Sequence, residues 1–356
     1  GGLVMLYVGD FFQLPPTNPN SALFDAKSSV GVNADRAMLL ELGEQHRVKG
    51  GSSADNEHRE GILAMRDPAT SKGAIKQFIE RAQKGDRVRR FADIPKDIPI
   101  VVCTNVERQI YNKYRAQEFG ADHGRPVLRF PLLESSVVAE GCFDAFRYFV
   151  AGAPAIVSEN IGFSMGIMNG TRCTMHSLHF GDNYSSEERE VIEQRIANAA
   201  PGEIIDVPLP QYIWVVPEGS SDPFPVQKCF FKKPKPSKVG AVSLREFAVD
   251  MSFAYTFFKV QGFSMKALAI DLNISPAIIG GPRMLNHPSI YVALTRVRSS
   301  DGIWIIEPRG TTTINNQEVH CFDHASELMP SKKLISWLEA RTGRKINPDS
   351  DDAPPK

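Results

Sequence analysis

The feature that most constrains the fold of this chain is a set of short, unbroken runs of apolar residues. The runs are Leu3 to Val8, Ile98 to Cys103, Ala267 to Leu272 and Gly302 to Ile306. Apolar and β-branched runs of this length are typical of strands that are buried on both faces of a parallel sheet. We therefore expect an α/β fold, in which ligand-binding residues collect at the carboxyl ends of such strands.

Helices are predicted between these runs. Thr104 and Glu107 have the spacing of a capping box, which starts a helix. A helix from there has one apolar face, formed by Val106, Ile110 and Tyr114. A second helical stripe is predicted to pack in the core and consists of Ile75, Phe78, Ile79 and Ala82.

The composition is that of an ordinary globular protein of two or three domains. Of the 356 residues, 42% are apolar and 23% are charged, and the formal net charge is zero, so any charged binding surface has to be a local patch.

The five cysteines show no Cys-x-x-Cys spacing, which favours buried free thiols over a zinc site or a disulfide framework. No long apolar run predicts a membrane span, so we expect a soluble, intracellular protein. Because an apolar run follows Gly1 almost at once, we interpret the start of the chain as a truncation or gene-model edge.

The chain changes character between residues 181 and 245. Residues 181–206 are rich in Asp and Glu, which is more typical of a solvated insertion than of a site. Gln211 to Val216 alternates like a strand, and short runs broken by Pro and Gly then predict a small all-β module. Its basic residues occur without an acid among them and are Lys228, Lys232, Lys233, Lys235, Lys238 and Arg245. Such an edge can meet phosphates, although a solvated lysine-rich loop is an equally good interpretation.

Two motifs place polar side chains where a nucleotide phosphate can be sensed. Gln13 lies in Gly-Asp-Phe-Phe-Gln-Leu-Pro-Pro, directly after a predicted strand, and its amide can hydrogen-bond a γ-phosphate or the attacking water. Arg296 lies in Tyr-Val-Ala-Leu-Thr-Arg-Val-Arg-Ser and can neutralise charge on a transferring phosphoryl group. The structural alternatives are a turn-stabilising amide and a salt-bridged surface arginine. The specificity of the whole strings favours the functional interpretation.

A third motif is suited to nucleic acid. Residues 254–264 read Ala-Tyr-Thr-Phe-Phe-Lys-Val-Gln-Gly-Phe-Ser, and their hydroxyl, ammonium and amide groups suit contacts to a nucleic-acid backbone. Phe257, Phe258 and Phe263 have two interpretations, stacking on bases and packing in the core. Core packing is the commoner fate, and we favour it for at least two of the three.

The printed sequence contains no Gly-x-x-x-x-Gly-Lys-Ser/Thr loop and no adjacent Asp-Glu pair. Without a phosphate-binding loop and its lysine, the arginines have no anchored substrate.

The order of the motifs resembles that of the petite-integration-frequency (PIF-type) DNA helicases, in the RecD-like branch of helicase superfamily one. Gly9 to Pro16 resembles the family's third motif, and Tyr291 to Ser299 resembles its sixth. Thr256 to Met265 is similar to the family's Thr-Ile-His-Lys-Ser-Gln-Gly motif. The other matching segments are Glu44 to Val48, Gly61 to Arg66, Val102 to Asn112, Gly152 to Val157 and Met168 to Thr171. Together these segments span roughly residues 1 to 310 in the family order.

The resemblance implies two RecA-like α/β domains, with a small SH3-like β module inserted in the second. Residues 1–45 would be the C-terminal remnant of the first domain, and residues 46–177 the first part of the second domain. The inserted module would span 178–245, the return of the second domain 246–310, and a C-terminal helix and tail 311–356.

The resemblance also implies roles for individual residues. The implied catalytic residues around the γ-phosphate are Gln13, Arg47 and Arg296, and Asp10 and Gly262 complete the predicted nucleotide-binding set. The predicted nucleic-acid-binding residues are Thr256, Lys259, Gln261, Ser264, Lys232 and Lys233. No metal ligand is predicted. Phe258 and Val260 stand where the family has histidine and serine, which removes two polar groups from the DNA-side motif.

The function implied by the resemblance is 5′-to-3′ ATP-dependent DNA unwinding, in DNA repair, recombination, or telomere or transposon maintenance. ATP and Mg²⁺ would be the cofactors of the intact enzyme, and single-stranded or forked DNA its partner. Because the phosphate-binding loop is missing, we predict that these residues alone neither hydrolyse ATP appreciably nor unwind DNA. The alternative is a non-catalytic or transposon-derived remnant that at most binds single-stranded nucleic acid. An unrelated α/β enzyme would leave the ordered motifs unexplained. We further expect a monomer with no membrane partner, in the nucleus or the mitochondrion.

Overall fold

The computed structural model describes residues 9–14, 48, 51–131, 146–181, 184–232, 243–273, 285–309, 311–314 and 317–343. Within these ranges, the side chains of residues 229–232, 243–246, 311–319 and 342 are outside the description. The predicted strand Leu3 to Val8 also lies outside the described residues.

Helices and strands alternate along much of the described chain. The helices are α1 Ser53–Ala64, α2 Pro68–Lys84, α3 Asn105–Asp122, α4 Ser186–Ala197, α5 Phe257–Val260, α6 His287–Leu294, α7 Cys321–Ser326 and α8 Lys332–Thr342. The strands of the first half are β1 Val88–Arg89, β2 Ile100–Val102, β3 Val127–Pro131, β4 Phe146–Phe149, β5 Pro154–Val157 and β6 Arg172–His179. The later strands are β7 Ile204–Asp206, β8 Tyr212–Pro217, β9 Phe224–Lys232, β10 Ser243–Phe247, β11 Val249–Met251, β12 Ala254–Thr256, β13 Leu268–Ile270, β14 Ile303–Ile306, β15 Thr311–Ile314 and β16 Gln317–His320.

The chain forms two compact units. Unit 1 consists of residues 1–104 and 256–356, and unit 2 consists of residues 105–255. Each unit is built around its own sheet or sheets, so the two are described separately. The five domain boundaries expected from the resemblance stay predictions.

A parallel sheet forms the centre of unit 1. Within unit 1 its strand order is β1-β14-β13-β2. The β1–β14, β13–β14 and β13–β2 pairs are all parallel. The side chains of β2 and β13 are at most 2% exposed, because both faces of these strands are covered. This sheet confirms the predicted α/β class and three of its four predicted strands.

Two capped helices precede the sheet strands of unit 1. The Ser52 side chain accepts a hydrogen bond from the Asp55 N–H and caps α1, while Asp67 caps α2 in the same way. The predicted core stripe of α2, Ile75, Phe78, Ile79 and Ala82, is buried as expected.

Unit 2 contains a six-stranded antiparallel sheet of order β10-β9-β8-β6-β5-β11 and a three-stranded sheet of order β4-β3-β7. The predicted module 178–245 contributes β8, β9 and β10 to the larger sheet, which also includes β5, β6 and β11. The acidic stretch contains α4, which is stabilised by a capping box between Ser185 and Glu188. The SH3-like character of this region stays a prediction.

The helix predicted after Thr104 is present as α3, but the face that carries Val106, Ile110 and Tyr114 is not its buried face. Val106 is 44% exposed and Tyr114 is 51% exposed, whereas the buried face contains Tyr111, Asn112 and Arg115. Hydrogen bonds make the polar members of this face compatible with burial. Asn112 donates to the Met251 carbonyl at 3.1 Å and accepts from the Ala254 N–H at 2.9 Å.

Cys103, Cys173 and Cys321 are free thiols, and the last two are buried. Burial raises the pKa of the Cys173 thiol to about 12. None of the helices in the described ranges is both long enough and apolar enough to cross a bilayer.

Candidate functional site

The first element of the candidate site is the turn at residues 9–14, in unit 1. The Asp10 carboxylate accepts hydrogen bonds from the Phe12 N–H at 3.1 Å and from the Gln13 amide at 3.4 Å. The Gln13 N–H also donates to the Asp10 carbonyl at 3.1 Å. Because Asp10 closes the turn in this way, the position of the Gln13 side chain depends on Asp10.

The second element is α6, which presents Tyr291 to this turn. Asn286 caps the helix, with its side chain accepting from the Ser289 N–H, and Pro288 suits the first turn. The Tyr291 hydroxyl donates to the Asp10 carboxylate at 2.9 Å. Burial raises the pKa of the Tyr291 hydroxyl well above its usual value, and the charge of Asp10 acts in the same direction. Tyr291 is therefore a neutral hydrogen-bond donor at this point.

Arg296 lies just beyond the end of α6 and is only 1% exposed. Its Nε donates to the Val292 carbonyl at 3.0 Å, and its Nη2 donates to the Thr295 hydroxyl at 2.7 Å. The guanidinium therefore satisfies groups at the C-terminal end of its own helix, where a positive charge is also favourable.

The third element is the predicted nucleic-acid segment, which follows β12. Thr256 is the half-buried N-cap residue of α5, and Gln261 and Ser264 are exposed. Gly262 has a φ of +91°, a backbone conformation that favours glycine in the turn after α5. The preference comes from the backbone alone, because no atom lies within 4 Å of an added Cβ. The Met265 N–H donates to the Arg296 carbonyl at 2.9 Å.

The structure brings some of the predicted site residues together and leaves others outside its description. The Asp10 carboxylate accepts from both Gln13 and Tyr291, and Arg296 is bonded to the last turn of the helix that carries Tyr291. The bond from Met265 joins residues 256–265 to the end of α6. The backbone of Lys232 ends β9, but its side chain is not described. Arg47 and Lys233 lie outside the described residues.

Core packing was expected for at least two of the three phenylalanines in this segment, and the structure buries one of them fully and one partly. Phe257 is 2% exposed and Phe263 is half-buried, but Phe258 is 48% exposed. Core packing therefore does not explain Phe258. The reason is the short helix itself, which turns Phe257 and Val260 inward and leaves Phe258 outward.

Sequence reasoning missed two features of the site. Arg66 lies with its guanidinium carbon 5.0 Å from the centre of the Phe12 ring. The Gly61 to Arg66 resemblance was the available signal for it. His287 is the second feature, because its Nε2 lies 2.9 Å from the Met65 carbonyl and its ring stacks with Tyr291. It therefore joins α6 to the end of α1.

The described residues do not by themselves fit ATP and Mg²⁺. A triphosphate needs several N–H donors or cations that point towards it. Here the Asp10 carboxylate already accepts three hydrogen bonds, and the Arg296 guanidinium is bonded to α6. The cluster therefore has residues of the types expected beside a γ-phosphate, but not a phosphate cradle.

No protein-family model and no curated protein sequence matches the chain. Solved structures of Pif1 helicases do match it. A Pif1 helicase from Candida albicans has a TM-score of 0.52 and 17% identity, over 92% of this chain and 66% of that chain. A second match is the Pif1 structure from work on DNA unwinding at forked double-stranded DNA by two coordinating Pif1 helicases. It has a TM-score of 0.51 and 15% identity, over 94% of this chain and 65% of that one. Bacteroides Pif1 bound to single-stranded DNA has a TM-score of 0.50 and 15% identity, over 94% of this chain and 66% of that one.

Identities this low are evidence for the fold alone. The RecA-like α/β class expected from the sequence agrees with these matches. The chain has a Pif1-like helicase fold, and it spans about two thirds of the length of the helicases it matches.

Proposed function

We propose that this chain contributes the nucleic-acid-binding part of a Pif1-like 5′-to-3′ DNA helicase, and that it binds single-stranded DNA without hydrolysing ATP on its own. The observation that supports this most is the backbone bond from Met265 to Arg296. It connects the segment suited to a nucleic-acid backbone with the helix whose Tyr291 contacts Asp10. In a helicase, such a connection would link nucleotide state to DNA contact.

The segment 256–266 has the chemistry for this role. Between Met251 and Ile270 the sequence contains no acid, and its charged residues are Lys259 and Lys266. Lys266, Gln261 and Ser264 are exposed. Ammonium, amide and hydroxyl donors bind phosphates and sugars without reading the base sequence. ATP, Mg²⁺, the polarity of unwinding and a role in DNA repair or recombination belong to the proposed whole enzyme.

Oligonucleotide binding at several salt concentrations tests the proposal. The purified chain should bind a labelled single-stranded oligonucleotide more tightly than the matching duplex, and its affinity should fall as salt rises. Lys266→Gln should lower the magnitude of the salt slope by about one, since one phosphate contact is lost. Lys76→Gln is the matched control, because Lys76 is exposed on α2. Binding that is absent, or equal for Lys266→Gln and the wild type, would count against the proposed contacts.

The lysine-rich run offers a second contact region. Neutralising Lys232, Lys233 and Lys235 together should weaken salt-sensitive retention of the oligonucleotide if that run also meets phosphates. Unchanged retention would remove the run from the proposed surface and leave residues 256–266 as the binding segment.

A non-catalytic remnant that only binds single-stranded nucleic acid is the second candidate. The burial of Arg296 favours it, because a guanidinium bonded to its own helix end has a structural role as it stands. The two candidates share the binding activity of this chain, and they differ in whether the whole protein hydrolyses ATP.

A further inference from the structure

Phe258 is an exposed aromatic side chain that the fold does not use. It is 48% exposed, and in the described part of unit 1 it is the only large aromatic residue that is exposed. Its exposed ring is available to a partner that offers a flat or apolar face. Its side chain has no polar atom, so the partner has to meet it through an apolar or aromatic face.

The surroundings of Phe258 indicate a polyanion with an aromatic component. Lys259, Gln261, Ser264 and Lys266 lie within eight positions of it in the chain, and the segment contains no acid. A protein partner with an apolar surface would not require this set of cations and donors. A single strand of nucleic acid supplies phosphates for the donors and flat bases for a ring.

The backbone that carries the ring is held in a defined place. Its neighbours Phe257 and Val260 are 2% and 0% exposed, so α5 is anchored by the core on one side. The Phe263 N–H donates to the Val260 carbonyl at 3.0 Å, and Met265 is bonded to Arg296. Because this backbone is already ordered, a base that stacks on the ring has only the side chain to order.

We propose that Phe258 is a base-stacking residue, which contacts the face of a base in single-stranded nucleic acid while the donors around it hold the backbone. The proposal rests on the proposed binding of single-stranded DNA. The stacking is insensitive to base identity, because every base presents a π-face. Phe258 stands where the PIF-type family has a histidine, so the proposal gives this position an apolar contact to DNA in place of a polar one.

The test compares two labelled probes of equal length, an oligothymidylate and an oligomer of abasic sites. Phe258→Leu keeps the apolar volume but removes the ring, and it should weaken oligothymidylate binding about tenfold. Phe258→Trp should retain wild-type affinity. Neither variant should change binding of the abasic probe, because that probe offers phosphates and no bases. Phe163→Leu is the matched control, since Phe163 is 77% exposed in unit 2.

Each outcome decides the proposal. Wild-type binding of oligothymidylate with no loss in Phe258→Leu overturns stacking and leaves the proposed function standing. Equal losses on both probes, or an equal loss in Phe163→Leu, also overturn it, because the effect would not be specific to this ring and a base. A wild-type chain that binds neither probe overturns both the stacking and the proposed function. Each variant should unfold at a midpoint temperature within about one degree of the wild type, because the substituted side chains are exposed.

Discussion

The Tyr291 hydroxyl donates a 2.9 Å hydrogen bond to the Asp10 carboxylate, which lies 281 positions earlier in the chain. The same carboxylate accepts from the Gln13 amide. Two motifs that are distant in sequence therefore share one acceptor. A change at either end should reach the other through Asp10.

Removing the Tyr291 hydroxyl should destabilise unit 1. We expect Tyr291→Phe to lower the free energy of unfolding by about 1–2 kcal/mol, because a hydrogen bond to a carboxylate is lost. Urea unfolding of the wild type, Tyr291→Phe, Asp10→Ala and the double variant gives a double-mutant cycle. A coupling energy near zero would show that the bond does not form in solution.

Stability should fall on mild acidification. Burial lowers the pKa of His58 and of His287 from 6.5 to about 4, and the charge of Arg81 adds to the effect at His58. Since each folded-state pKa is below the unfolded value, the unfolded state binds more protons between about pH 6.5 and pH 4. The contribution of the two neutral imidazoles to the free energy of unfolding is therefore fully present above about pH 6.5, and it is lost as the pH falls towards 4. Each histidine should contribute a loss of about 2 kcal/mol by pH 5.

Urea unfolding between about pH 7.5 and pH 5 checks this expectation. His58→Gln and His287→Gln should each flatten the pH profile, although each also lowers stability at neutral pH. A wild-type profile that is flat in this window would contradict the burial of neutral imidazoles.

Asn112 should be important for unit 2. Its side chain bonds to the Met251 carbonyl and the Ala254 N–H, and it is 5% exposed. Asn112→Ala should cost about 3 kcal/mol, because two buried backbone groups lose their partner. Asn198→Ala, at the exposed end of α4, should have little effect. Fluorescence of Trp214, the tryptophan of unit 2, reports the unfolding when Trp304 and Trp337 are replaced by phenylalanine in every variant. Equal stability of the two variants would be evidence against this role.

The purified chain should hydrolyse ATP no faster than background, with or without single-stranded DNA. The sequence has no phosphate-binding loop, and the Arg296 guanidinium is bonded to its own helix. A phosphate-release assay checks this, with Arg296→Lys as the comparison because it keeps the charge. DNA-stimulated hydrolysis that is clearly above background, and lost in Arg296→Lys, would contradict the prediction.

The sheet of unit 1 was predictable because its signal is local. Three of the apolar runs became β2, β13 and β14, since an unbroken run fixes burial on both faces of a strand. The face of α3 was not predictable in this way. Asn112 is buried because Met251 and Ala254 supply partners about 140 positions away, which no local pattern of hydrophobicity records.

The roles of the candidate site residues stay predictions. Asp10, Gln13 and Arg296 were selected because whole strings resembled helicase motifs, and the structure shows Asp10 bonded to Gln13 and Tyr291, with Arg296 bonded to the same helix as Tyr291. Tyr291 itself was quoted only as part of a string, and Arg66 was not selected. Their roles depend on tertiary contacts with Asp10 and Phe12. The exposure of Phe258 likewise depends on which side of a four-residue helix meets the core.

Photo-crosslinking tests the central claim most directly. A single-stranded oligonucleotide that carries photoreactive thymine analogues would be bound to the purified chain, irradiated, and its crosslinked peptides identified by mass spectrometry. We predict crosslinks within residues 256–266, at or next to Phe258, that disappear when unlabelled single strand competes. Crosslinks that fall only elsewhere, with none in this segment, would contradict the claim that these residues form the nucleic-acid-binding surface.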